Sequence, residues 1–242
     1  MYIINLIFIK NQIHNVINSS IENVNHLFNY SVFILSIPFY LFKSNQILIN
    51  EKVLNRISLI HNFNLVLFSF WTFISLLILL YHKGIVFQSN YYFQSKEFDT
   101  IIYLFYISKY YELFDIVLVY LKGKRDLFFQ KYHHIGAILF WYLCYAYKVD
   151  GIWIATFLNS FIHTIMYSYY IGHILKIKYI TNFKKYITLL QLCQLIPQPL
   201  CLYLYNSEPH YNILIFFTIY CNGLVLLFIS FYYNTYINKI KI

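Results

Sequence analysis

The chain has 242 residues, of which 60% are apolar, 22% aromatic and only 11% charged. Soluble domains contain about 45–50% apolar and about 25% charged residues, so this composition excludes an ordinary soluble enzyme, a disordered chain and a disulfide-rich secreted module. Basic residues outnumber acidic ones by 18 to 9, which gives a formal net charge of +9. In so apolar a chain this charge indicates membrane topology rather than nucleic-acid binding. The composition predicts a polytopic membrane protein.

The first predicted element is a tail over residues 1–29. It has a short apolar run but neither a basic start nor a small-residue cleavage site, so we do not expect a signal peptide. Asn18 and Asn29 each begin an Asn-x-Ser pattern that fits N-glycosylation. Such sites matter only if the tail is lumenal, and their use stays open.

Apolar segments follow the tail along the rest of the chain. A helix needs about 20 apolar residues to cross the hydrocarbon core of a bilayer. The runs without Asp, Glu, Lys or Arg are 23–42, 57–82, 132–147, 151–175, 186–207 and 209–238. A further apolar region, 100–121, is interrupted by charged residues. We therefore predict an all-α domain over 30–236 with seven transmembrane helices, followed by a tail over 237–242.

The distribution of Lys and Arg predicts the orientation of these helices. If the N-terminus lies outside the cytosol, most basic residues fall in cytosolic connections. Those that flank the segment 132–147 are Lys122, Lys124, Arg125 and Lys131. Because basic residues are enriched on the cytosolic side, we expect a lumenal N-terminus and a cytosolic C-terminus.

Ionisable residues inside the spans are the most informative, because a charge at the bilayer centre costs about 2.5–3.5 kcal/mol. Lys109, Glu112 and Asp115 recur every third residue in the region 100–121, so they follow one side of a helix. The cation and the two acids leave one negative charge for another group to balance. The spacing is consistent with a functional site and with a structural ion network near the membrane surface.

A second polar group lies at the start of the segment 132–147. Gln130, His133 and His134 share one helical face. Neutral imidazoles can act as base, nucleophile or metal ligand near pH 7, although polar residues at a membrane boundary can also simply reach towards water. We reject a di-iron centre, because the spans offer too few histidines and the remaining ones lie in the tail or near loops.

Two more polar groups occur further along the chain. The first is a continuous helical stripe in the segment 151–175, formed by Asn159, His163, Met166, Tyr167 and Tyr170. The second is a weaker face in the segment 186–207, formed by Thr188, Gln191 and Gln194. Hydrogen-bonded seams between membrane helices are the structural alternative for both groups.

Together these groups resemble the signatures of the ELO family of fatty acid elongases, the 3-oxoacyl-CoA synthases of the endoplasmic reticulum. The family's K-x-x-E-x-x-D, H-x-x-H-H, N-x-x-x-H-x-x-M-Y and T-x-x-Q-x-x-Q segments occur in order, and the resemblance covers residues 30–240. Two positions depart from it, since Gln130 replaces the first histidine of the box and Ile116 replaces the threonine after Asp115. A glutamine can form hydrogen bonds but cannot act as an acid or base.

The resemblance implies a fold and a reaction. The expected fold has seven transmembrane helices, the last six of which form a barrel around an acyl tunnel. The expected reaction is a decarboxylative Claisen condensation of a long-chain acyl-CoA with malonyl-CoA, through a histidine-linked acyl intermediate. The product is a 3-oxoacyl-CoA two carbons longer. No cofactor and no metal are expected beyond these two substrates.

The resemblance also implies residue roles. His133 is expected to be the nucleophile, His134 to assist proton transfer, and His163 to face them from the next span. Roles in binding or positioning the substrates are expected for Gln130, Lys109, Glu112, Asp115, Asn159, Met166, Tyr167, Tyr170, Gln191 and Gln194.

The alternatives are a catalytically inactive homologue, which Gln130 and Ile116 motivate, and a receptor or transporter without chemistry. We expect a multi-pass protein of the endoplasmic reticulum membrane. Its expected partners are the lipid bilayer and the ketoacyl reductase, dehydratase and enoyl reductase of the elongation cycle. A homodimer, the preferred acyl chain length and its unsaturation stay open.

Overall fold

The computed structural model describes residues 50–123, 128–204 and 211–238. Every described residue belongs to one compact unit, Gln46–Ile242. Some sequence predictions lie outside the described residues: the tail with Asn18 and Asn29, the segment 23–42, the loop residues Lys124 and Arg125, and the last residues, 239–242.

The described residues form helices without strands, which confirms the all-α prediction. These helices are α1 (Glu51–Lys83), α2 (Lys96–Glu112), α3 (Phe114–Leu121), α4 (Phe128–Ala146), α5 (Ile152–Ile174), α6 (Lys184–Leu195), α7 (Pro197–Tyr203) and α8 (Tyr211–Tyr232). A 3₁₀ turn precedes α6 at Ile180–Phe183, and a π-helical turn follows α8 at Tyr233–Ile237.

Helix α1 shows how the local sequence sets the start and the faces of a helix. The side chain of Asn50 accepts the N–H of Lys52 at 2.9 Å, so it caps the first turn. Helix α1 and the helix that runs over Ile213–Ile237 are, within the described ranges, the two that are long and apolar enough to cross a membrane. They correspond to the predicted segments 57–82 and 209–238.

Two predicted segments are divided into pairs of helices. Between α2 and α3, Leu113 donates its N–H to the carbonyl of Tyr110 at 3.2 Å, a tighter turn than that of an α-helix. The segment 186–207 is divided into α6 and α7, because Pro197 and Pro199 lack the N–H groups that a continuing helix needs. Each of these two predicted spans is thus interrupted by a break in its helix, and the predicted number of spans stays a prediction.

The helices contact one another in a closed cycle. The most extensive packing in the described part of the chain is between α1 and α5. From α1 the cycle continues through contacts with α2, α4, α8 and α6, and α6 returns to α5. The predicted count of seven helices and the barrel stay predictions, because the segment 23–42 lies outside the described residues.

Helices α4 and α8 approach each other closely at two glycines. A Cβ atom on Gly136 would overlap the ring of Tyr220, and one on Gly223 would overlap the hydroxyl of Tyr132. Each helix thus places a tyrosine against a glycine of the other. The hydroxyl of Tyr220 also donates to the backbone carbonyl of His133 at 2.7 Å, so this packing fixes the start of α4.

We expect Gly136→Ala to lower the free energy of unfolding by about 1–3 kcal/mol, because the added methyl group must displace a buried ring. Gly172→Ala is the matched control, since its Cβ would lie 3.0 Å from Cγ1 of the Ile180 side chain, which can move. Unfolding by SDS in mixed micelles measures both changes. Equal losses in the two variants would contradict the close approach of α4 and α8.

Candidate active site

A buried ammonium group lies at the centre of the polar site. Lys109 of α2 is only 1% exposed, and its Nζ donates to Oε1 of Glu112 at 2.8 Å and to Oδ1 of Asn159 at 2.8 Å. The same Nζ lies 4.0 Å from the ring centroid of Phe105 and 4.8 Å from that of Trp141. A charge that is costly to bury is therefore balanced by a carboxylate, an amide oxygen and two aromatic faces.

Asn159 of α5 connects this ammonium group to His163. Because a lysine only donates, the amide oxygen of Asn159 faces Lys109, and its Nδ2 lies 3.2 Å from Nε2 of His163. The amide nitrogen only donates, so Nε2 of His163 accepts and, in the neutral ring, Nδ1 carries the proton. That Nδ1 lies 3.5 Å from Oε1 of Glu112 without forming a hydrogen bond. The hydrogen bond from Asn159 therefore fixes the orientation of the His163 ring.

A second carboxylate, that of Asp115, lies at the start of α3. Its Oδ1 accepts from Nε2 of His61 at 2.9 Å, and its Oδ2 accepts from the hydroxyl of Tyr167 at 2.7 Å. Nε2 of His134 lies 3.9 Å from Oδ2, which is too far for a hydrogen bond but close enough for a charge interaction whenever this ring is protonated. Asp115 thereby connects α1, α3, α4 and α5.

The adjacent histidines of α4 have unpaired polar atoms. The ring centroids of His133 and His134 are 5.2 Å apart. Within the described residues, the Nδ1 atoms of both histidines and Oε1 of Gln130 are buried without a hydrogen-bond partner. Buried polar atoms are usually satisfied, so such orphans are typical of a site that receives a ligand or water. This group is therefore a candidate site for a ligand at the start of α4.

The polar face of α6 adjoins the same region through α5. Nε2 of Gln191 donates to the sulfur of Met166 at 3.0 Å. Met166 and Tyr167 belong to a buried cluster with Leu65 of α1 and Ile187 of α6. Gln194 is 8% exposed, and its Oε1 is another buried atom without a partner among the described residues.

The structure brings most of the sequence-predicted residues together. Those joined by the contacts above are Lys109, Glu112, Asp115, His133, His134, Asn159, His163, Met166, Tyr167 and Gln191. Tyr170 is different, because the residue is 40% exposed and its ring lies at the edge of the group, against the rings of Tyr167 and Tyr169. The roles of all these residues stay predictions.

The sequence analysis missed His61 and placed it with the histidines near loops, which was wrong. His61 is 2% exposed and lies on the buried face of α1. A signal was present, because polar residues recur along α1 at helical spacing on that face. They are Ser58, His61, Asn62, Ser69 and Thr72. Trp141 and Tyr220 were also missed, because their roles depend on contacts with distant segments.

Two helices long and apolar enough to cross a membrane, together with a buried ion pair between Lys109 and Glu112, are consistent with a membrane protein that has a polar site in its interior. Residues 15–241 match the model of the ELO family, which is described as the GNS1/SUR4 family. The chain therefore belongs to this family of membrane proteins, which confirms the resemblance found in the sequence.

Individual proteins are similar to parts of the chain. "Fatty acid elongase sre1" of Dictyostelium discoideum is 34% identical over 164 residues, which cover 64% of this chain and 60% of that protein. "Putative fatty acid elongase DDB_G0272012" of the same organism is 36% identical over 57% of this chain and 49% of that protein. "Very long chain fatty acid elongase 6" of Rattus norvegicus is 30% identical over 57% of this chain and 55% of that protein. The chain spans 49–60% of the length of these curated relatives.

We expect Lys109→Met to destabilise the protein by about 3–5 kcal/mol, because it leaves the carboxylate of Glu112 buried without its cation. The double variant Lys109→Met/Glu112→Met removes both charges and is expected to regain most of the loss. Unfolding by SDS in mixed micelles measures the free energy of unfolding of the wild type, the single variant and the double variant. Losses that simply add in the double variant would contradict the ion pair.

Proposed function

We propose that the protein is a condensing enzyme of fatty acid elongation, which joins a long-chain acyl-CoA to malonyl-CoA with loss of CO₂. The observation that carries the proposal is the histidine pair of α4. Both Nδ1 atoms are buried without a partner among the described residues, and Nε2 of His134 lies 3.9 Å from Oδ2 of Asp115. Membership of the ELO family and the names of the similar proteins support this choice of substrates.

The first proposed step transfers the acyl group to His133. A ring nitrogen of His133 forms a bond to the thioester carbon, and the bond from that carbon to sulfur breaks. The acylated ring loses a proton, which His134 carries to the CoA thiolate. The charge of Asp115, 3.9 Å from Nε2 of His134, stabilises the imidazolium that exists during this transfer.

The second proposed step forms the new carbon–carbon bond. Malonyl-CoA loses CO₂, and the electron pair of the broken bond stays on its α-carbon. That carbon bonds to the acyl carbon as the bond to the His133 nitrogen breaks. The ring regains one proton, which His134 relays to it from water, so the whole reaction consumes one proton from solvent. Dividing one difficult reaction into two easier ones is the advantage of covalent catalysis.

His163 is assigned a different role from that of His133. Its Nε2 lone pair accepts a hydrogen bond from Asn159, so this nitrogen is occupied. We assign His163 to the orientation or polarisation of a substrate carbonyl. Asn159, which accepts a hydrogen bond from Lys109, holds the His163 ring, and the carboxylate of Glu112 lies beside it. Preorganised groups of this kind stabilise developing charge most effectively away from bulk water.

The remaining assignments concern substrates, partners and location. We assign the acyl chain to a tunnel inside the cycle of helices, and Gln130, Met166, Tyr167, Tyr170, Gln191 and Gln194 to substrate binding or positioning. Cytosolic lysines such as Lys122 and Lys131 are assigned to the CoA phosphates. The protein is placed in the endoplasmic reticulum membrane with a lumenal N-terminus, alongside the reductases and dehydratase of the cycle.

An inactive homologue is the second candidate, because Gln130 cannot transfer protons where the family box has a histidine. Its Oε1 lies buried without a partner among the described residues, which is also consistent with an orienting role. We assign Gln130 this orienting role in an active enzyme.

Elongation by membranes from a heterologous host tests the function. With malonyl-CoA and a panel of acyl-CoAs, we expect wild-type membranes to form products two carbons longer, identified by mass spectrometry. We expect His133→Ala to lose this activity at an equal protein level, because the acyl acceptor is gone. His173→Ala is the matched control and should retain activity, since His173 is an exposed histidine near the end of α5.

Two outcomes contradict parts of this proposal. No product from well-expressed wild type would favour the inactive homologue, most clearly if Gln130→His then gained activity. Elongation that survives in His133→Ala would exclude His133 as the nucleophile while leaving the reaction class in place.

A further inference from the structure

We propose that His61 of α1 is a positioning residue that holds the carboxylate of Asp115 towards His134. The proposal rests on the proposed function, because it assigns His61 to the reaction only through these two residues. It adds a component from α1, a helix in which the sequence analysis found no site residue.

Helix packing clamps the His61 ring in one place. The ring centroid lies 4.8 Å from that of Tyr111 and 5.3 Å from that of Phe114, on either side of the turn that joins α2 to α3. With 2% of the residue exposed, the ring has little room to rotate. The clamp therefore fixes the direction in which Nε2 points.

The hydrogen bond to Asp115 defines the proton positions on this ring. A carboxylate only accepts, so Nε2 of His61 carries the proton that it donates to Oδ1 at 2.9 Å. In the neutral ring Nδ1 then has a lone pair, and this atom is buried without a partner among the described residues. His61 thus presents one fixed donor to one oxygen of Asp115.

The two oxygens of Asp115 need two anchors to hold their plane. The hydroxyl of Tyr167 fixes Oδ2 at 2.7 Å, and His61 fixes Oδ1. With Tyr167 alone, the carboxylate could turn about that single bond, and its 19% exposed side chain would find water for the freed oxygen. The direction in which the carboxylate plane faces Nε2 of His134, 3.9 Å from Oδ2, would then no longer be fixed.

Stability alone does not explain a histidine at this position. A buried polar atom without a partner costs about 1–3 kcal/mol, and within the described part of the chain Nδ1 of His61 is such an atom. A phenylalanine would fill the same space between Tyr111 and Phe114 without that cost. The feature that a phenylalanine cannot supply is the donor to Asp115, and so we assign the function of His61 to that donor.

The test uses three substitutions of His61 that separate its donor from its packing. His61→Phe keeps a ring but removes the donor, and it should lower kcat at least about tenfold with little change in KM, because a small misplacement of a catalytic group is costly. His61→Gln places its amide nitrogen close to the position of Nε2 and should restore most of kcat. His61→Asn places its nitrogen close to the position of Nδ1 and should resemble His61→Phe.

The combination with Asp115→Asn shows whether His61 acts through Asp115. If it does, His61→Phe should reduce kcat no further in the Asp115→Asn background. Fold losses that multiply would overturn the proposal, as would a His61→Phe variant with wild-type kcat or a His61→Gln variant no better than His61→Phe.

A stability measurement keeps this test separate from the test of the proposed function. Unfolding by SDS gives the free energy of unfolding of the wild type, His61→Phe, Asp115→Asn and the double variant. These four values give the coupling free energy between His61 and Asp115. If the stabilities show coupling but the wild-type protein does not elongate acyl-CoA, the proposed function is contradicted and the His61–Asp115 contact is retained. If the losses in free energy of unfolding of the two single variants simply add in the double variant, the proposal that His61 positions Asp115 is overturned, whether or not the protein elongates acyl-CoA.

Discussion

The arrangement of the site depends on one constraint, the burial of the Lys109 ammonium group. A charge with 1% exposure loses its hydration, and only a close anion and further polar or aromatic partners can compensate for it. Glu112 supplies the anion from the same helix, while Asn159 and Trp141 supply partners from α5 and α4. Helices α2, α4 and α5 must therefore meet at this point.

The second carboxylate extends the same arrangement to the histidine pair of α4. Glu112 and Asp115 lie on either side of the turn at Leu113, so each directs its carboxylate to a different histidine. Glu112 faces His163 at 3.5 Å, and Asp115 faces His134 at 3.9 Å. One short segment thereby places a carboxylate near each of two imidazoles that different helices carry, which agrees with a function as scaffold for the proposed chemistry.

Sequence spacing predicted the parts of this site that lie on one helix. Residues three or four apart share a helical face. The sequence therefore predicted that Lys109 lies beside Glu112 and that Asn159 lies beside His163. It could not predict that His61 meets Asp115, because these residues are 54 positions apart and no local rule joins them. The break at Leu113 also escaped prediction, since neither Gly nor Pro marks it.

The central claim, that His133 carries the acyl group, is tested most directly by trapping the acylated protein. Purified wild-type protein is incubated with an acyl-CoA in the absence of malonyl-CoA, and its intact mass and peptides are measured. We predict one added acyl group on His133, which malonyl-CoA removes as the longer product appears. A protein that forms the longer product without ever gaining this mass, or that carries the acyl group on another residue, would contradict the account.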